Sequence, residues 1–164
     1  MVTLDDLISP DEFVELRTNH SISNERIEYL CSHTVLTVLV DNKFNASHVP
    51  ALIVGDGWKD KLEWIASNYE GILKPMGFNG YHVSQIVTNA GWKDKLEWIA
   101  SNYEGILKPM GFKPTHVARI VRGRDWKDKL YWVEKYSGEA SYTPSQIASL
   151  MPKKNWKQIV GYSK

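Results

Sequence analysis

The sequence predicts an all-α protein, an α-solenoid of 34-residue helix–loop–helix repeats. Three observations predict it. Residues 57–78, GWKDKLEWIASNYEGILKPMGF, recur residue for residue at 91–112, and Trp126 opens a third copy, so Trp58, Trp92 and Trp126 stand 34 apart. Within each copy the apolar residues keep helical spacing: Trp58, Leu62, Ile65, Tyr69 and Leu73 advance by 4, 3, 4 and 4. Glycine and proline fall between these stripes, where turns belong. One pair of short helices cannot bury both faces, whereas stacked copies cover one another.

Framed from an aromatic residue, the repeats run 44–77, 78–111 and 112–141, the last being shorter. A fourth, 142–164, is truncated, and 8–43 (opening ISPDEFVELRTNHS) reads as a degenerate first unit. All five belong to one expected domain, 1–164, with atypical ends as caps. The first helix of a repeat is short, and Val83 and Ile86 mark its apolar face. Pro50 stands where the other copies have Ser84 and Ala118, so that helix is expected to start late, with Pro50 in its first turn. Next comes a loop, Gly55-Asp56-Gly57 or Asn89-Ala90-Gly91, in which Gly supplies a positive φ. The second helix carries the long stripe and stops at Pro75 and Gly77. Trp58 is expected in the core. In the last repeat Thr143 and Pro144 read as N-cap and first helical residue.

Composition bounds the function classes. The chain is 43% hydrophobic and 24% charged, with a net charge of +1 that is unevenly spread. Residues 1–43 hold eight acids against three bases; 44–164 hold 17 bases against 11 acids, most of the excess lying after residue 112. A basic C-terminal half permits a nucleic-acid partner. Cys31 is the sole cysteine, which excludes an intrachain disulfide and suggests a reducing, cytoplasmic setting; it is expected to be a small buried residue. No signal-peptide pattern opens the chain, and the apolar run at 35–40 is too short to span a bilayer, so no membrane partner is expected. No Ser/His/Asp set, paired-carboxylate site or phosphate-cradling Gly loop occurs, so neither enzyme activity nor a cofactor is expected. His48, His82 and His116 recur at 34, too far apart to share one metal; a structural or hydrogen-bonding row is expected and no metal site.

The tetratricopeptide pattern asks for Leu three and Gly four residues after its Trp, and here Lys61 and Leu62 occupy those places. Framed from Phe78, FNGYHVSQIVTNAGWKDKLEWIASNYEGILKPMG resembles a repeat of the TAL effector-like (TALE-like) DNA-binding family. Thr88-Asn89, Ala90, Gly91, Lys93 and Leu96-Glu97 carry the resemblance, together with YTPSQIAS at 142–149 and ISPDEF at 8–13. It covers about residues 8–160. It implies a right-handed superhelix whose loops enter the major groove of double-stranded DNA, one base per repeat. The base-facing residues would be His20, Asp56, Ala90, Arg124 and Lys154. Gly57, Lys59, Gly91, Lys93, Lys127 and Lys157 would lie against phosphate, and an effector would act in a host nucleus. Asp can accept from cytosine, and Arg can give two bonds to guanine. The tip differs between otherwise identical copies (Asp56 against Ala90), as a modular reader requires; drift of an exposed loop gives the same difference.

The chain also departs from that family. Trp58, Trp92, Trp126 and Trp156 stand where it has a second Gly. Asp60, Asp94 and Asp128 replace its Gln, Asp125 and Asn155 replace a Gly, and residues 1–43 are acidic where it is basic. The Asp beside each Lys and the near-neutral charge motivate an alternative, a protein-binding helical-repeat scaffold. Single-stranded RNA is a third reading, tied to exposure of Trp64 and Trp98.

Overall fold

A computed structural model describes residues 2–20 and 22–162, the side chain of His33 excepted. Ser21, at the end of the ISPDEFVELRTNHS segment, and the final two residues of the last repeat lie outside the described residues. Among the described residues all regular structure is helical, and there is no strand. None of the described helices is long and apolar enough to cross a membrane.

The chain forms two compact units, Met1–Thr88 and Asn89–Lys164. In the first, a single turn at Leu4–Asp6 precedes α1 (Pro10–His20), α2 (Asn24–Leu30), α3 (His33–Asp41), α4 (Val49–Ile53), α5 (Trp58–Asn68) and α6 (Gly80–Val87). Helix α4 packs on α5 and α6, and α5 also meets α2 and α3. The second unit holds α7 (Trp92–Asn102), α8 (Pro114–Ile120), α9 (Trp126–Tyr136), α10 (Pro144–Leu150) and α11 (Trp156–Ile159). There α8 packs on α9 and α10. In both units, therefore, the first helices of successive repeats (α4 with α6, α8 with α10) lie against each other.

One hydrogen bond starts all five repeats. The backbone N–H of the second residue donates to the side chain of the fifth: Ser9 to Glu12 at 2.9 Å, Asn45 to His48 Nδ1, Asn79 to His82 Nδ1 and Lys113 to His116 Nδ1 at 3.2 Å each, and Thr143 to Gln146 at 2.8 Å. This is half of a capping box, and it satisfies a donor that the first helical turn leaves free. Thr143 completes the box, its hydroxyl accepting from the Gln146 N–H. The histidine row is thus a row of cap acceptors. Pro50 sits in the first turn of α4, as its position requires.

The stripe of the second helix is buried at Leu62, Ile65, Tyr69 and Leu73, each at most 2% exposed. Its backbone does not stay α-helical. At Tyr69–Leu73 and Tyr103–Leu107 it widens into a π turn, and Lys74 N–H reaches Tyr69 O. Asn68 and Asn102 sit at the entry, each donating its side-chain amide to the Trp64 or Trp98 carbonyl at 2.7 Å, which loads an acceptor of the helical ladder. The Tyr69 and Tyr103 hydroxyls then donate to Phe78 O and Phe112 O, tying the end of one repeat to the start of the next.

Three expectations need correction. The second half of the degenerate unit is two helices, α2 and α3, broken at Cys31-Ser32. Cys31 caps the end of α2 and is exposed, not buried. Trp58 and Trp92 are half-buried and not core; Trp58 stands edge-on to Tyr29 with the Arg26 guanidinium over its ring. Trp126 and Trp156 are buried.

Burial holds the His48 and His82 imidazoles below the ordinary 6.5, and burial, aided by Lys113 and Arg119, does the same for His116. The native state therefore binds fewer protons than the unfolded chain in this range. The stability they contribute is full above about pH 6.5 and is lost as pH falls through the folded values. A thermal melt should show Tm falling between about pH 7 and pH 5. Changing all three to Gln, the residue the last repeat already uses, should flatten that dependence while leaving the helices formed by circular dichroism.

Candidate nucleic-acid interface

The loops between first and second helices present the predicted tips. Gly57 and Gly91 adopt φ of 65° and 73°, in the left-handed region, and cap α5 and α7. Asp56 and Ala90 just before them are exposed. In the next repeat Asp125 replaces that Gly with φ −90°, and the left-handed position moves to Gly123 at 104°. Arg124 and Lys154 are exposed on their loops. His20 is also exposed, but as the last residue of α1 and not on a loop.

The four lysines that open the second helices are not equivalent. Lys93 is largely exposed, 4.0 Å from Glu97. Lys127 reaches back to Asp94 of the preceding repeat at 3.4 Å, and Lys157 to Asp128 at 2.7 Å. Lys59 lies over the Tyr29 ring at 5.1 Å. Asp94 and Asp128 therefore serve as counter-charges for the lysine of the following copy. Such exposed pairs contribute little, about 0–1 kcal/mol each, so a phosphate can compete for the lysine.

Sequence reading missed a second lysine row, Lys61, Lys95 and Lys129, which is buried. The signal was available: Lys61 falls three after Trp58 and four before Ile65, on the apolar stripe. Lys61 Nζ donates to Ala51 O and Val54 O, collecting carbonyls at the end of α4. Burial, and then the charge of Arg26, pull its pKa down to about 8. Lys129 Nζ donates to Arg122 O and pairs with Asp125 at 2.7 Å. Lys95 is fully buried, and its Nζ has no hydrogen-bond partner among the described residues. Burial, with Lys129 nearby, lowers its pKa as well. Asp125 also accepts from Trp156 Nε1. Burial raises its pKa, but the bonds from Lys129 and Trp156 outweigh that and leave it below the usual carboxylate value.

In the second unit these loops share a groove of about 550 Å³, lined by Asn89, Arg122, Gly123, Asp125, Lys129, Pro152, Lys153 and Lys154. Three consecutive interhelical loops contribute. Four cations face one carboxylate, which suits a polyanion. Ala90 and Arg124 do not line it. In the first unit a cavity of about 330 Å³ beside α4 and α6 is lined by His20, Ser47, Pro50, Ala51, Val54, Ser84, Gln85 and Thr88, with no acid or fixed cation. No group of three or more metal-binding side chains occurs among the described residues. Trp64 and Trp98 are half-buried, offering no open stacking platform. No protein-family model matches the chain, and no curated protein matches it in sequence.

Replacing Asp125 with Ala strands the Lys129 ammonium, which is 4% exposed, and frees the Trp156 indole N–H. The expected cost is about 1–3 kcal/mol, read as a lower urea midpoint. Asp125→Asn should recover part of it by keeping an acceptor for Trp156.

Proposed function

We propose that the protein binds double-stranded DNA through its interhelical loops, as a divergent TALE-like solenoid. The groove formed by three consecutive loops around Arg122, Lys153 and Lys154 is the observation that carries this reading. Exposed tips on left-handed glycines support it, because a loop must project beyond its helices to reach base edges. The α4–α6 and α8–α10 contacts support a stacked arrangement of repeats. The proposed base-facing residues are Asp56, Ala90, Arg124 and Lys154, with His20 at the end of α1. The proposed phosphate-facing groups are Gly57, Lys59, Gly91, Lys93, Lys127 and Lys157. Five repeats would read about five base pairs at roughly 1–3 kcal/mol per good contact, so specificity is thin and much of the affinity is electrostatic.

A second reading, a protein-binding scaffold, draws on the Lys127–Asp94 and Lys157–Asp128 pairs, which satisfy within the protein the charges that phosphate would take.

Mobility shift of a short duplex separates the two. Retardation at about 50 mM salt, falling steeply by about 200 mM, is expected for DNA. Arg122→Ala with Lys153→Ala should weaken every sequence and reduce the salt slope, whereas Arg124→Ala should alter preference at one base pair. No retardation at low salt, with folded protein in excess, would sink the DNA reading. A salt-insensitive complex with a protein would favour the scaffold.

A further inference from the structure

We propose that a cavity in the second unit, lined by Trp132, Tyr136, Glu139 and Tyr162, binds a methylated ammonium group, such as the quaternary nitrogen of choline or trimethyllysine. The cavity is about 310 Å³, and Ala140, Val160 and Gly161 complete its described lining. That size suits a small ligand or a single side chain. Trp132 is 3% exposed and makes the buried side, while Tyr136 is 42% exposed at the mouth. The Trp132 and Tyr136 centroids are 6.5 Å apart at 38°, and those of Tyr136 and Tyr162 are 6.4 Å apart at 54°. Rings set obliquely at this spacing border a common space and do not stack on one another. Ring faces attract a cation within about 6 Å, and an aromatic cage of this kind suits quaternary ammonium.

Two further observations point to a cation. Glu139 is the one charged side chain in the described lining. Lys157 Nζ already sits 5.5 Å from the Tyr162 centroid and 5.6 Å from that of Trp156, so this aromatic group draws positive charge.

The pocket lies where the third repeat departs from its two near-identical copies. Tyr136 replaces Asn68 and Asn102, Ser137 replaces Tyr69 and Tyr103, and Glu139 replaces Gly71 and Gly105. In the other copies the Asn and Tyr side chains are engaged on backbone carbonyls. Here Ser137 takes the internal bond, to Val133 O, and the tyrosine one place earlier is exposed. Glycines that carried no side chain are replaced by a carboxylate.

The test is titration of the full chain with tetramethylammonium, choline and trimethyllysine, read by tryptophan fluorescence. The control is the uncharged analogue of choline with tert-butyl in place of trimethylammonium. Saturable binding of at least one cation, about fivefold or more tighter than the uncharged analogue, is expected. Tyr136→Leu and Glu139→Gln, both at exposed positions, should each weaken it several-fold with the circular dichroism unchanged. Preference between choline and trimethyllysine would then distinguish a small-molecule source from a protein side chain. Equal binding of the uncharged analogue, indifference to Glu139→Gln, or no saturation by any cation up to roughly 100 mM overturns the proposal.

Discussion

Each repeat depends on one local bond, from the backbone N–H of its second residue to the side chain of its fifth. The first helices are only five to eight residues long in the four C-terminal repeats. Isolated helices of that length do not form in water, because nucleation costs more than a few hydrogen bonds return. A side-chain acceptor fixes the first turn and sets the angle at which the chain enters it. The buried lysine acts at the other end: Lys61 collects the carbonyls at the close of α4, and Lys129 one at the close of α8. Helices α4 and α8 are thus held at both termini by side chains, and each packs on the first helix of the next repeat.

Much of the helical architecture was legible in the sequence. The stripe of Leu62, Ile65, Tyr69 and Leu73, the glycines at 57 and 91, and the Pro50 offset all act through local rules, and all appear in the structure. The histidine row was legible as a structural row, though not as cap acceptors. What escaped reading depends on a side chain meeting a distant backbone group. The π turns need Asn68 and Asn102 to reach back to a carbonyl, and periodicity alone does not distinguish that from one more α turn. The break at Cys31-Ser32 interrupts a run that has no Gly or Pro to announce it.

The candidate site was legible only at its tips. Asp56, Ala90, Arg124 and Lys154 were found because loop position follows from repeat framing. The cations that line the groove with Lys154, namely Arg122, Lys129 and Lys153, become a group only when three loops lie side by side. Lys129 was hidden for a further reason: composition treats lysine as a surface residue, and here its ammonium is spent on Arg122 O and Asp125.

The pairing of Lys127 with Asp94 and of Lys157 with Asp128 bears on how such a chain can grow. Residues 78–111 carry three bases and three acids, so the repeat is electroneutral as a unit. Inserting another such copy lengthens the array and adds no net charge. Between repeats 44–77 and 78–111 only the tip changes the balance, as Asp56 does relative to Ala90. An array extended by near-perfect copies such as 57–78 and 91–112 therefore accumulates no self-repulsion as it lengthens.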